Sequence, residues 1–183
     1  MKLLGLPVQV LDPDIDESFD PALPPQEVVR DLACRKVEKA LFLLKEQGIE
    51  APWILGGDTL IYHEGSYYGK AADRQEARAM LEALSGGTHE VHSGLALHGG
   101  GVLDHCSVRS RVSFAPMGSS ELDWYLDSGE WEGAAGAYKI QGLISCFIES
   151  IEGSYSSIVG LPLREFYVML KRNGYPYGAW SSL

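Results

Sequence analysis

The spacing of apolar residues predicts several amphipathic helices along the chain. The longest begins after Pro24 and Pro25, carries apolar residues at three- and four-residue steps from Val29 to Leu44, and stops before Gly48. Proline in the first turn and glycine just past the last turn are typical helix boundaries. Shorter stretches with the same spacing predict helices that follow Asp73, Ser119 or Ser120, and Pro162.

Runs rich in β-branched and aromatic residues predict the strands. Two long runs, Thr88–Leu97 and Val102–Phe114, flank three consecutive glycines and predict an antiparallel hairpin. A second hairpin is predicted to turn at His63–Ser66, and further strand candidates are Val8–Leu11 and Lys139–Ile151. Helices that alternate with strands in this way predict an α/β domain with a mixed, twisted sheet and flanking helices.

The stretch Gly56-Gly57-Asp58-Thr59 interrupts two apolar runs that precede the hairpin turn predicted at His63–Ser66. Glycines let the backbone approach a ligand or kink the sheet, and Asp58 would then be held at the end of a rigid element, where a base or a metal ligand is useful. The alternative is a β-bulge or turn in which Asp58 caps a local N–H. If the hairpin is tight, Lys70 returns near Asp58.

Composition narrows the class of protein. The 183 residues, with 45% hydrophobic and 22% charged content, are typical of one soluble globular domain. A net charge of −10 argues against a nucleic-acid partner, and an anionic substrate would need focused lysines or a divalent cation. Three scattered cysteines without a C-x-x-C pair, no apolar run of spanning length and a proline-broken start predict a cytoplasmic protein without a membrane partner.

Three further residues have both a structural and a functional interpretation. Glu17 lies among five acidic residues between Asp12 and Asp20, which form either a solvated loop or one wall of a cation site. Lys36, on a flank of the long helix, is by composition a surface lysine. Gln141 is either an outward-facing polar residue or a reader of a base edge, because an amide both donates and accepts.

An ordered series of short motifs resembles the Maf family of nucleoside triphosphate pyrophosphatases, from about Leu6 to Asn173. The matching motifs are Gly57-Asp58-Thr59, Gly69-Lys70, Leu84-Ser85-Gly86, His89-Glu90-Val91 with Ser93-Gly94, Tyr125 with Ser128-Gly129-Glu130, Ala135-Gly136-Ala137-Tyr138 with Ile140-Gln141-Gly142, and Gly153-Ser154-Tyr155-Ser156 with Val159-Gly160-Leu161-Pro162-Leu163. Any one triplet is uninformative, whereas the series in this order is specific.

The resemblance implies a single domain over residues 1–183, with two lobes around a central cleft, that hydrolyses a nucleoside triphosphate to the monophosphate and pyrophosphate. It implies that Asp58 is the base and that Glu17 and Asp58 hold a divalent cation, Mg²⁺ or Mn²⁺. It leaves open whether the chain forms a homodimer.

The same resemblance implies which residues bind the substrate. Lys36 and Lys70 match lysines that contact the triphosphate. Thr59 and Gln141 match residues that help select the base in the branch that prefers dTTP and UTP, so a pyrimidine triphosphate is the expected substrate.

The sequence departs from the family in three places. The family's opening strand and S-x-S-P-R-R loop have no match before the first motif, the D-K-A-G-A-Y segment is Gly133-Ala134-Ala135-Gly136-Ala137-Tyr138, and G-K-P is Gly69-Lys70-Ala71. These departures support a second hypothesis, a catalytically impaired relative that binds a nucleotide or a protein partner. A purely structural role is the third hypothesis.

Overall fold

One five-stranded sheet forms the centre of the molecule. The computed structural model describes residue 6 and residues 8–176. The strands are β1 (Trp53–His63), β2 (Ser66–Tyr68), β3 (Thr88–Gly99), β4 (Val102–Phe114) and β5 (Ile148–Glu152). Their order across the sheet is β2-β1-β3-β4-β5, and every pairing among the described strands is antiparallel. Both predicted hairpins are confirmed, with His63 opposite Ser66 and Gly99 opposite Val102.

Helices flank the sheet, and all of them except the short α4 and the 3-10 helix lie at predicted positions. They are α1 (Pro25–Glu46), α2 (Arg74–Leu84), α3 (Ser119–Asp127), a short α4 (Tyr155–Ile158) and α5 (Leu163–Arg172), with a 3-10 helix at Leu143–Phe147. The Asp73 side chain caps α2 by accepting from the Glu76 N–H, as the capping pattern predicts. In the described part of the chain, no helix is long and apolar enough to cross a membrane.

The long helix α1 packs closely on one face of the sheet because two glycines face it. A Cβ placed on Gly94 of β3 would overlap the carbonyl of Val29, and one on Gly56 of β1 would lie 2.7 Å from the Ala33 carbonyl oxygen. Backbone can approach backbone only where no side chain intervenes. The fold therefore holds α1 directly over the middle of β1 and β3.

The opposite face of the sheet carries two buried clusters. Residues of α5, among them Phe166 and Leu170, pack on Leu95 and Leu97 of β3. The larger cluster joins α2, α3 and the ends of the central strands. Residues from both clusters line one cleft. The predicted α/β architecture with flanking helices is confirmed, whereas the sheet is antiparallel throughout the described strands and not mixed, because each strand there pairs with a neighbour that runs the other way.

Two strand predictions are wrong. Val8–Leu11 is exposed and has no regular structure. Most of Lys139–Ile151 is a turn followed by the 3-10 helix, with only Ile148 onward in β5. The Glu130 carboxylate accepts from the Leu143 N–H at 2.7 Å, so this segment bonds to a side chain where a strand would pair with its neighbour.

Candidate active site

Three charged side chains from distant parts of the sequence meet beside β1. The ammonium of Lys36, on α1, donates to Asp58 Oδ1 at 2.6 Å and lies 2.7 Å from Glu17 Oε1. Asp58 points to the face that α1 covers, because it pairs with Gly94 and follows Gly56 by two positions. The close approach of α1 is therefore what brings Lys36 to Asp58.

Burial and neighbouring charges shift the pKa values of this cluster in opposite directions. Burial raises the pKa of the Asp58 carboxyl above its usual value, against the hydrogen bond and charge of Lys36, which lower it. Burial by itself would lower the pKa of Lys36, but the hydrogen bonds and charges of Asp58 and Glu17 outweigh it and raise that pKa. The hydrogen bond from Lys36 lowers the pKa of Glu17. Lys36 thus stays charged, and Asp58 is a carboxylate that accepts a proton more readily than an exposed one.

Two contacts hold the acidic loop that carries Glu17. The guanidinium of Arg35 donates to the backbone carbonyls of Asp16 and Ser18 at 2.8 and 3.0 Å. Phe19 packs edge-on against Tyr67 of β2, with ring centroids 4.9 Å apart. The carboxylate of Glu17 is thereby held at the mouth of the cleft, so the loop is not simply solvated.

Lys70 lies on the same cleft as Asp58, as the tight hairpin predicts. Its backbone forms a bridge with Ala135, and the Gly136 N–H donates to the Gly69 carbonyl at 2.8 Å. The positive charge of Lys70 adds to the effect of Lys36 in lowering the pKa of Glu17, and it opposes the larger effect of burial on the pKa of Asp58. The glycine- and alanine-rich segment therefore forms a wall of the cleft opposite β1.

The cleft has a volume of about 800 Å³, which is within the range of small-molecule sites. It brings together five of the six residues that the sequence analysis assigned to the site: Glu17, Asp58, Thr59, Lys70 and Gln141. Lys36 reaches the same place through its contacts with Glu17 and Asp58. The turn or bulge interpretation of Asp58 is wrong, because Asp58 lies within continuous β1 pairing and bonds to a side chain.

Thr59 lies one residue from Asp58 on the other face of β1. Its Oγ1 is 2.9 Å from Ser93 Oγ on β3, and Ser93 Oγ donates to the Ser157 carbonyl at 2.7 Å. Gly160, which follows α4, borders the same part of the cleft. The hydroxyl of Thr59 thus contacts Ser93 on the side of β3, and Thr59 lines the cleft on its other side.

Two residues of this site received no role from the sequence. Lys139 lines the cleft two positions before Gln141, and it adds a cation near the wall that lacks the family's lysine. Its position directly before the I-Q-G motif could have indicated that it belongs to the site. Ser93 belongs to the Ser93-Gly94 motif, but the sequence does not indicate its contacts, because these come from β1 and from α4.

A divalent cation fits this site only together with a ligand. Among the residues that the structure describes, no group of three or more His, Cys, Asp or Glu side chains could hold a metal ion. Glu17 and Asp58 each use one oxygen on Lys36, so their carboxylates converge on one cationic centre. Mg²⁺ is commonly held by one or two carboxylates plus substrate phosphates, and these two residues fit that arrangement.

Comparison with known proteins agrees with this geometry. A family model described as Maf-like protein matches residues 1–173. A nucleoside triphosphate pyrophosphatase from Xylella fastidiosa (strain 9a5c) is 42% identical over 166 residues, which cover 90% of this chain and 87% of that protein. A dTTP/UTP pyrophosphatase from Symbiobacterium thermophilum is 39% identical over 176 residues, covering 96% of this chain and 88% of that protein.

A second dTTP/UTP pyrophosphatase, from Hahella chejuensis, is 42% identical over 172 residues, which cover 93% of this chain and 84% of that protein. The residues that the family model matches include every residue of the site described above. The chain belongs to the family of Maf-like proteins.

Proposed function

We propose that this chain is a nucleoside triphosphate pyrophosphatase that hydrolyses dTTP and UTP to the monophosphate and pyrophosphate. The observation that carries the proposal is the contact between Lys36 and the partly buried Asp58 at a cleft that Lys70 also lines. Hydrolysis of a phosphoanhydride needs a base for the attacking water and cationic groups for the phosphates, and a carboxylate beside lysines provides both. The names of the relatives from Symbiobacterium and Hahella support these substrates.

Asp58 is the residue that would act on water. A general base works best when its pKa is close to the operating pH, and burial moves the pKa of Asp58 in that direction. It would orient a water molecule toward the α-phosphorus and accept its proton as the bond to the pyrophosphate leaving group breaks. Lys36, at 2.6 Å, keeps the carboxylate ionised and in place until then.

The cations of the cleft would hold the phosphates. Glu17, Asp58, Lys36 and Lys70 together carry two negative and two positive charges, so the cluster by itself has no excess charge with which to attract a triphosphate. Glu17 and Asp58 would hold a divalent cation, Mg²⁺ or Mn²⁺, which supplies the charge that neutralises phosphate oxygens and the leaving group. Lys70 would contact the β- and γ-phosphates, since positioning and electrostatics dominate phosphoryl-transfer catalysis.

Gln141 is the residue proposed to select the base. Its amide can donate to a carbonyl of uracil or thymine and accept from the ring N–H beside it. Cytosine has no N–H at that ring position and carries an amine where uracil has a carbonyl. A site built for one hydrogen-bonding edge rejects the other because buried polar groups would stay unpaired.

We further propose that the reaction takes place on free nucleotides in the cytoplasm, without a nucleic acid or membrane partner. The three cysteines of the chain, Cys34, Cys106 and Cys146, form no disulfide, which fits a reducing compartment.

A second candidate is a relative that binds nucleotide with little turnover. One specific observation favours it: Gly133 and Ala134 line the cleft where the family motif has an acid and a lysine. Loss of one preorganised charge contact costs on the order of 10²–10³ in rate. Lys139 on the same wall offsets part of that loss.

The experiment is a panel of UTP, dTTP, CTP, dCTP, dATP and dGTP with Mg²⁺ or Mn²⁺, in which pyrophosphate and monophosphate are both measured. We expect equal amounts of the two products and the highest kcat/KM for UTP and dTTP. Asp58→Asn keeps the size of the side chain but removes its basicity, and we expect its turnover to fall to background with an unchanged circular dichroism spectrum. Equal rates on all bases, or a fully active Asp58→Asn, would contradict the proposal, and binding without turnover would favour the second candidate.

A further inference from the structure

We propose that Ser93 is a positioning residue that makes the Thr59 hydroxyl a pure hydrogen-bond acceptor toward the substrate. The inference rests on the proposed function, since it concerns how the same cleft selects its nucleotide. It adds a residue on β3 to a site whose other members lie on β1, α1 and the surrounding loops.

The direction of the hydrogen bonds follows from the donors available. Ser93 is fully buried, and its Oγ lies 2.7 Å from the carbonyl oxygen of Ser157. A carbonyl has no proton to give, so Ser93 must donate its only one there. The 2.9 Å contact between Thr59 Oγ1 and Ser93 Oγ must then use the proton of Thr59.

This chain of two bonds leaves only lone pairs of Thr59 for a ligand. Turning the Thr59 proton into the cleft would remove the hydrogen bond that Ser93 accepts, at a site where no water can replace it. A substrate acceptor placed against Thr59 would meet another acceptor, whereas a substrate donor would be satisfied. The side of the substrate that faces Thr59 therefore has to carry an N–H or O–H.

The hydroxyl is accessible to such a donor. Thr59 lines the cleft, and a Cβ built on Gly160 would lie 3.8 Å from Thr59 Oγ1. Gly160 has a φ of 114°, a conformation that glycine adopts without strain, and its lack of a side chain leaves this approach open. In a pyrimidine nucleotide the donor is either the ring N–H of the base or a hydroxyl of the sugar.

The experiment uses the full chain with UTP and two analogues that each lack one of these donors, 3-methyl-UTP and 3′-deoxy-UTP. For every variant we compare kcat/KM for UTP with kcat/KM for each analogue, because a ratio is insensitive to a general loss of activity. We expect the parent to discriminate against one analogue by about tenfold or more, the usual cost of an unpaired buried group. Thr59→Val removes the acceptor, and it should lower that ratio at least threefold; for 3-methyl-UTP, the discrimination that remains belongs to the contact proposed for Gln141.

Ser93→Ala provides the direct test. It frees the Thr59 proton, so the fixed preference for a donor should weaken and the ratio should fall at least threefold. Ser93→Cys keeps the volume of the side chain but forms only weak hydrogen bonds, so it should lower the ratio as well. It replaces Ser93→Ala as the test if that variant folds poorly.

Ser110→Ala is the matched control. Ser110 is also buried, lies on β4, and ties the same segment to the sheet through Ser154, accepting from its N–H at 3.0 Å and donating to its carbonyl at 3.3 Å. It does not line the cleft or contact Thr59. We expect Ser110→Ala to keep the parent ratio even if it loses stability.

The possible outcomes separate this inference from the proposed function. A parent that hydrolyses UTP but treats both analogues like UTP, or a folded Ser93 variant with the parent ratio, overturns the inference and leaves the proposed function standing. If the parent releases no pyrophosphate, the proposed function fails, and calorimetric Kd ratios for the same three nucleotides decide the role of Ser93. Absence of binding would overturn both.

Discussion

Lys36 Nζ lies 2.6 Å from Asp58 Oδ1, and this contact joins α1 to the strand that carries the proposed base. The two residues are 22 positions apart in the sequence. They meet because Gly56 and Gly94 let α1 lie against the backbone of the sheet. The packing of the fold and the electrostatics of the cleft therefore depend on the same helix.

Replacing Lys36 should change the pH dependence of the proposed reaction. Lys36 lowers the pKa of Asp58 against the effect of burial. Lys36→Met should therefore raise that pKa, so the acid limb of kcat/KM, which reports ionisation of the base, should move to higher pH. The plateau should also fall by on the order of 10²–10³. Initial rates of pyrophosphate release across a pH series measure both effects.

Lys39→Met is the control for this series. Lys39 lies three residues further along the same helix, with its ammonium 5.6 Å from the centre of the Phe42 ring and away from the cleft. Its replacement should leave the acid limb where it is in the parent. An unshifted limb in Lys36→Met would mean that the measured pKa does not belong to Asp58.

Removing the amide of Gln141 should abolish the preference for uracil and thymine, with a smaller effect on overall activity. Gln141→Ala loses the donor and acceptor proposed to read uracil and thymine, so kcat/KM for UTP and CTP should become similar. Gln75→Ala, an exposed glutamine on α2, should keep the parent ratio. The ratio from a competition assay with both nucleotides is the measurement, and an unchanged ratio in Gln141→Ala would assign base choice elsewhere.

Gly94→Ala should destabilise the protein severely. The added Cβ would overlap the carbonyl of Val29, and backbone atoms cannot rotate away as a side chain can. Overpacking of this kind costs about 1–3 kcal/mol or more, and the rigid contact predicts the upper part of that range. Gly69→Ala has no atom within 4 Å of the new Cβ and should be near neutral. Urea unfolding of the two variants beside the parent tests this, and similar midpoints would contradict it.

His89 should make the folded state sensitive to acid. Burial lowers the pKa of His89 from 6.5 to about 4, with a smaller contribution from His63. Its Nε2 bonds to the Tyr138 hydroxyl, whereas its buried Nδ1 has no partner among the described residues, so protonation would bury an unpaired N–H. The unfolded state therefore binds a proton below pH 6.5 that the folded state does not bind until about pH 4.

The sign of this effect is that stability is complete above pH 6.5 and decreases as pH falls toward 4. At about 1.4 kcal/mol per pH unit, His89 should remove roughly 3 kcal/mol of unfolding free energy over that window. The free energy of unfolding at pH 7 and at pH 4.5 is the measurement. His89→Gln should be less stable at pH 7 and lose less between the two values; an equal loss would assign the acid sensitivity to other groups.

Periodicity and turn chemistry predicted most of the fold. The helix from Pro25 to Glu46 and the hairpin from Thr88 to Phe114 each have a local signal, namely apolar spacing with terminal proline and glycine, or alternating runs around three glycines. The strand prediction for Lys139–Ile151 failed because its local pattern does not show which groups the backbone bonds to. The segment after Lys139 alternates like a strand, but the carboxylate of Glu130 and a turn satisfy its backbone instead.

The site was predicted through the order of motifs, and the structure brings its residues together at one cleft. The sequence by itself determined which chemical groups are present: a carboxylate after two glycines, a lysine after a hairpin, and an amide beside a glycine. Only the tertiary structure decided their partners. Lys36 between Glu17 and Asp58, and Thr59 bonded through Ser93 to Ser157, join segments that are remote in the chain. Local pattern encodes which face of an element is buried, whereas the contacts that set a pKa or the direction of a hydrogen bond depend on which elements pack against that face.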